Sequence, residues 1–138
     1  MSVKVLFPGT RYAICAWLED ENQEESAIET FILELYAGND SDAEAIYDEL
    51  EKTSNHGPSH NIQKFRYLKG NGQILVEFKA RGGSRVLAFI DQDRRRIVCT
   101  HGIPKLKKKR FEREVDAAQK VRNAYLFENM TEGTEYVN

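Results

Sequence analysis

Cysteine is scarce in this sequence. Cys15 and Cys99 are the only two in 138 residues, so neither a disulfide framework nor a Cys-x-x-Cys metal knuckle can be built. Both lie in apolar stretches and read as reduced core thiols, which makes the cytoplasm the expected compartment. Long apolar runs are missing too. No stretch approaches the ~18 residues of a membrane helix, and the N-terminus lacks the apolar core of a secretory signal. Neither a membrane partner nor export is expected, and Asn129-Met130-Thr131 then reads as a chance sequon. Familiar catalytic signatures are absent as well. His56 and His60 have ligand-like spacing but straddle Gly57-Pro58, so no helix holds both on one face and no metal site is expected. Gly70-Asn71-Gly72 and Gly82-Gly83 lack the lysine context of a phosphate loop, and no Gly-x-Ser-x-Gly elbow supports a serine hydrolase. No cofactor is expected.

What is present suits one globular domain over residues 1–138, with a polar tail from about 129. Hydrophobic residues make up 41% and charged residues 30%, enough to bury a core without staples. The net charge of −2 conceals an asymmetry. Residues 1–63 hold three basic against thirteen acidic side chains, and residues 64–138 hold seventeen against nine. Such a division points to an anionic partner for one face, or to two surfaces that pair with each other on folding.

The hydrophobic pattern changes period along the chain. Residues 12–18 read as a strand. Ser26-Ala27-Ile28-Glu29 is a capping box opening a helix with Ile28, Phe31, Ile32, Leu35 and Tyr36 on one stripe, and Gly38 is placed to end it. Ser41-Asp42-Ala43-Glu44 reads as a second capping box, before a helix that carries Ile46, Tyr47 and Leu50 and stops at the polar loop 53–60. Residues 74–79, 85–90 and 96–101 read as strands of a meander, joined by a Gly-rich hairpin loop at 80–84 and a turn at 91–94. A final helix is expected from about Lys109 to Leu126, with Phe111, Val115, Ala118, Val121 or Arg122, and Tyr125 inward. The fold class is therefore α+β: a small antiparallel sheet meander with an N-terminal strand and helical hairpin, a C-terminal helix, and helices on one face.

The chemistry on offer is cationic. Lys79, Arg81 and Arg85 surround the hairpin, and Lys105, Lys107, Lys108, Lys109, Arg110 and Arg113 follow the last strand. If these converge, they can neutralise several phosphates, with arginine giving bidentate contacts and lysine a mobile point charge. The alternative is a solvated basic surface.

The stretch from Leu68 to Leu126, a little under half of the chain, resembles the RelE/HigB-like toxins of bacterial type II toxin–antitoxin systems, in particular the phage-associated HigB-like branch of the RelE/ParE superfamily. The resemblance is carried by Leu68 and Gly70, Glu77-Phe78-Lys79, Ser84-Arg85-Val86-Leu87 and Ile97-Val98-Cys99-Thr100-His101-Gly102-Ile103. It continues through Lys105 and Lys109, then Glu114, Ala117, Ala118, Arg122 and Tyr125-Leu126. It implies a RelE-like fold and a metal-free endoribonuclease that cuts mRNA, on the ribosome in many relatives, by attack of a ribose 2′-hydroxyl on the adjacent phosphate. On this resemblance the catalytic candidates are Arg85 as phosphate clamp, Lys79, Lys105, and His101 as acid or base or equally as a structural histidine. Arg81, Lys107, Lys108, Lys109 and Phe111 would bind RNA. Phe111 stands where several relatives carry a tyrosine, and it can stack but not transfer a proton. The implied partners are mRNA, the ribosome and a cognate antitoxin, expected to be of helix-turn-helix type. The alternative is a non-catalytic relative that binds an antitoxin or inhibits gyrase.

Overall fold

The alternating Val3-Lys4-Val5-Leu6-Phe7 and the apolar run Ala13–Trp17 form a hairpin, and that hairpin is the start of a six-stranded sheet. The computed structural model describes residues 3–68, 75–105 and 111–137, with side chains as far as Met130. The elements are β1 (Val3–Phe7), β2 (Ala13–Trp17), α1 (Ala27–Ala37), α2 (Asp42–His56), β3 (Phe65–Tyr67), β4 (Leu75–Lys79), β5 (Arg85–Asp91), β6 (Arg96–Ile103) and α3 (Phe111–Val137). The sheet order is β1-β2-β6-β5-β4-β3. The α+β class and the C-terminal helix are as the pattern predicts.

Two features of the expected architecture are corrected. The expected antiparallel meander is present as β4-β5-β6, but the sheet as a whole is mixed: β2 runs parallel to β6, with Ala13 opposite Arg96 and Ala16 opposite Cys99. The helices also lie on both faces. Ile28 and Ile32 of α1 and Ile46 and Leu50 of α2 pack on Ile14, Val76, Phe78, Val86, Ile97 and Cys99. Ala118 and Tyr125 of α3 pack on the opposite side, against Cys15, Leu75, Leu87, Phe89 and Val98. The central strands are therefore buried from both sides, as a sheet covered on both faces requires, which is why β4 and β5 read as continuous apolar runs.

Local details follow the same physics. Ser26 caps α1: its hydroxyl accepts from Glu29 N at 3.1 Å while Glu29 Oε1 accepts from Ser26 N at 2.9 Å. Ser41 does not cap α2 with its side chain. Asp40 does that work, accepting Asp42 N at 2.9 Å. α2 continues through the expected loop to His56 because Thr53 and Ser54 are buried, and Ser54 O accepts from Arg11 N and Tyr12 N. Phe31 of α1 lies over Gly102, where a Cβ would collide with its ring. α3 passes the expected stop near Leu126 and runs to Val137, with Asn129 buried and donating to Tyr125 O at 2.8 Å. Cys15 and Cys99 are buried and unpaired with each other. Burial raises the Cys15 thiol to about 11 despite nearby Arg96, and raises Cys99 further, with Cys15 contributing.

Candidate nucleic-acid interface

Strand register aligns one row of side chains across the sheet on the face under α3. Arg66 of β3 is opposite Glu77 of β4, Glu77 is opposite Leu87 of β5, and Leu87 is opposite His101 of β6. The next row holds Lys79, Arg85 and Ile103. A bulge between Leu87 and Ala88 resets the pairing so that His101 shares the face of Leu87.

Glu77 is fully buried. Its Oε1 accepts from Arg66 Nε at 2.8 Å, and its Oε2 lies 3.4 Å from Arg85 Nη1. A carboxylate taken out of water needs such partners, and here two guanidinium groups surround one negative charge. Arg66 is half-exposed and Arg85 largely covered. The Arg85 guanidinium sits 5.2 Å from the Phe111 ring centroid, a cation–π contact at the start of α3.

His101 is held at both nitrogens. Nε2 is 2.6 Å from Glu114 Oε2, and Nδ1 is 3.0 Å from Thr100 Oγ1. Thr100 Oγ1 also lies 3.3 Å from Leu87 O. When the threonine hydroxyl donates to Leu87 O, it accepts from an imidazolium Nδ1–H. When it donates to Nδ1, the ring is neutral and keeps its proton toward Glu114. One hydroxyl rotation thus accommodates both protonation states of the ring. The imidazole is partly open to solvent, as is Glu114. Diagonal neighbours on adjacent strands such as Arg85 and His101 are separated by roughly 7–8 Å, the scale of a phosphodiester with its two sugars.

On the Arg66 and Phe111 side of this cluster runs an open groove of about 960 Å³, lined among others by His60, Arg66, Tyr67, Phe111 and Val115, while His101 and Thr100 line a separate hollow with Trp17 and Lys120. Tyr67 and Ile62 expose their side chains in the groove. Aromatic faces beside a guanidinium offer base stacking next to phosphate contact.

The structure brings Arg85, Phe111 and His101 to one face, with Lys79 beside Arg85 in the register, and engages Lys105 and Arg81 elsewhere. Lys105 Nζ lies 3.5 Å from Asp40 Oδ2 in the α1–α2 turn. The Asp42 N–H, helped by Lys105, keeps the Asp40 carboxyl below the usual aspartate range. Arg81, and Lys79 from its place beside Arg85 at the sheet end, line a second cavity next to α2. Lys107, Lys108 and Lys109 lie outside the described residues. The hairpin that carries Arg81 and Arg85 is fixed by buried Asp42, whose two oxygens accept from Gly82 N at 2.9 Å and Ser84 N at 3.1 Å. A Cβ on Gly82 would fall 2.6 Å from that carboxylate, and Gly83 has a φ of +107°, so neither glycine is replaceable at low cost.

Sequence reasoning did not single out Arg66, quoted Glu77, Thr100 and Glu114 only as parts of a motif, and took Asp42 as part of a capping box. Glu77 had a signal: a lone acid inside the apolar run Leu75–Phe78 has to be buried and paired. Among the described residues no group of three or more His, Cys, Asp or Glu is arranged to hold a metal ion, and no helix is long and apolar enough to cross a membrane. No protein-family model matches the chain, and no curated protein matches it.

Proposed function

We propose that the protein is a metal-free endoribonuclease with a RelE-like fold, acting as the toxin of a toxin–antitoxin pair on ribosome-bound mRNA in the cytoplasm. The observation that carries this reading is the grouping of Arg66, Arg85 and the His101–Glu114 pair on one face, beside a groove with exposed aromatics. Arg85 and Arg66 bind the scissile phosphate and stabilise the extra charge of the phosphorane-like transition state. Phe111 and Tyr67 stack the flanking bases. His101, whose ring nitrogens are engaged by Glu114 and Thr100, releases one of them on substrate binding to take the 2′-hydroxyl proton or to deliver one to the leaving 5′-oxygen. Alignment contributes as much as acid–base strength in such a site. The order strand, two helices, three strands, helix from β2 onward, with the short β3 between, supports the RelE-like reading.

The test is inducible expression in a bacterial host with mapping of new RNA 5′ ends. Growth arrest and new ends inside translated codons are expected for the wild type, and neither for folded Arg85→Ala or His101→Gln. Retained cleavage in both folded variants would remove this site assignment.

The second reading is a non-catalytic relative that binds an antitoxin or gyrase. It is favoured by the engagement of Arg85 between Glu77 and Phe111 and by the Lys105–Asp40 pair, which leave fewer free cations for a transition state. It predicts tight partner binding without RNA cleavage at any protein concentration.

A further inference from the structure

The cavity between α2 and the β3–β4 end of the sheet has no part in the mechanism above. It measures about 580 Å³ and is lined by Lys52 of α2, Lys64 just before β3, Lys79 at the end of β4 and Arg81 of the hairpin loop, with Asp48 and Glu49 of α2. Three stretches of chain therefore deliver four cations to one cavity. The β-sheet imposes part of this convergence, because Lys79 N donates to Lys64 O at 2.9 Å. None of the four forms an ion pair within 4.0 Å among the described residues. Glu49 is only 9% exposed and is likewise in none of those pairs. Charges of both signs thus line the space without closing it.

We propose that this cavity is a binding site for a phosphate-bearing ligand, separate from the groove beside Arg66 and Phe111. Four cations against two carboxylates leave an excess of two positive charges. Attraction to that excess grows with ligand charge, so a pyrophosphate-like group with several negative oxygens is favoured over a singly charged carboxylate. Lysines supply mobile donors for such oxygens and Arg81 a bidentate fork. Asp48 and Glu49 oppose any anion, and so set a charge threshold for entry. The phosphates come either from a small soluble molecule or from the backbone of an RNA strand passing over the β4–β5 end, where Lys79 is opposite Arg85. The site does not depend on cleavage at Arg85.

Lys52 and Lys64 allow a clean test because both are exposed and neither belongs to the proposed catalytic face. Pyrophosphate and, separately, a single-stranded oligoribonucleotide without terminal phosphates are titrated into the full chain by calorimetry at fixed low salt. Saturable one-to-one binding of pyrophosphate is expected. It should weaken about tenfold, the equivalent of one charge-assisted contact, in each of Lys52→Ala and Lys64→Ala. Lys64→Arg should retain affinity, Glu49→Gln should tighten it, and Lys120→Ala, an exposed lysine on α3, should leave it unchanged. Oligoribonucleotide binding that is lost in Lys52→Ala and Lys64→Ala, without pyrophosphate binding, would keep the site and assign its phosphates to a nucleic-acid strand. Binding of neither probe, or binding that Lys120→Ala weakens as much as Lys64→Ala, overturns the proposal. Unchanged circular dichroism in each variant separates a lost contact from a lost fold.

Discussion

Glu77 carries more of this structure than its single charge suggests. With no exposed surface and two arginines converging on it, its removal leaves Arg85 beneath Phe111 without a counter-charge. Breaking such a buried pair from one side costs about 3–5 kcal/mol. Glu77→Ala is therefore expected to lose roughly that much in a urea unfolding titration, and Arg66→Ala less, because the buried carboxylate then still has Arg85 as its counter-charge. At the other end of α3, Tyr125 Oη donates to Asp91 Oδ2 at 2.5 Å and accepts from Arg96 Nη1 at 3.2 Å. Burial of Asp91 works against its ionisation, but the bonds from Tyr125 and Arg94 outweigh it and hold its carboxyl below the ordinary aspartate value. A carboxyl depressed in the folded state adds stability above its unfolded pKa, about 3.9, and loses it as pH falls through the lower folded value. Thermal stability should fall on acidification through this window, and Asp91→Asn should flatten that part of the profile. Tyr125 is raised to about 12 by burial and by Asp91, so its contribution is lost on the alkaline side, from pH 10 upward.

The elements divide into those whose boundaries are local and those fixed by docking. α1 is local: its capping box is legible in four residues and present in the structure. Ser26→Ala should cost about 1 kcal/mol in thermal unfolding. β5, β6 and most of β4 are equally legible because burial on both faces makes their central stretches, such as Val86–Phe89 and Ile97–Cys99, apolar. β3 was not, since three residues are too few for a pattern, and Phe65 is its only buried member. The end of α2 was not, because Thr53 and Ser54 are poor helix formers stabilised by the β1–β2 turn. The parallel β2–β6 pairing leaves no local mark at all. The site was partly legible for the same reason. Arg85, Phe111 and His101 share a face because strand alternation and one helix start put them there. The pairing of Lys105 was not legible because its partner, Asp40, is distant in sequence. Asp42 was read as part of a cap, yet it accepts two buried N–H groups of the hairpin loop. Asp42→Ala should therefore cost about 2–3 kcal/mol, more than the cap substitution, and should also disorder the loop that carries Arg81 and Arg85, visible as faster amide exchange at Gly82 and Ser84.

On the scale of the whole molecule, few direct ion pairs among the described residues join the acidic and basic halves of the sequence. Of the six ion pairs found among the described residues, only Lys105–Asp40 joins residues 1–63 to the rest. Basic side chains from both halves, Lys52 with Lys64, Lys79 and Arg81, gather at one cavity beside α2, where they offer an approach for a polyanion. Raising salt from about 50 to 500 mM should weaken RNA binding steeply, while the melting temperature stays level or rises as like charges are screened. β6 has a consequence of a different kind. It lies between β2 and β5, so it is the strand that joins the N-terminal hairpin to the β3–β5 ribbon, yet it is synthesised last of the six. Until Arg96–Ile103 leaves the ribosome, the nascent chain holds two partial sheets with bare inner edges, open to pairing with other chains. A premature stop or frameshift upstream of Arg96 should therefore yield insoluble material rather than a weakened protein, and no shorter fragment should inherit the activity.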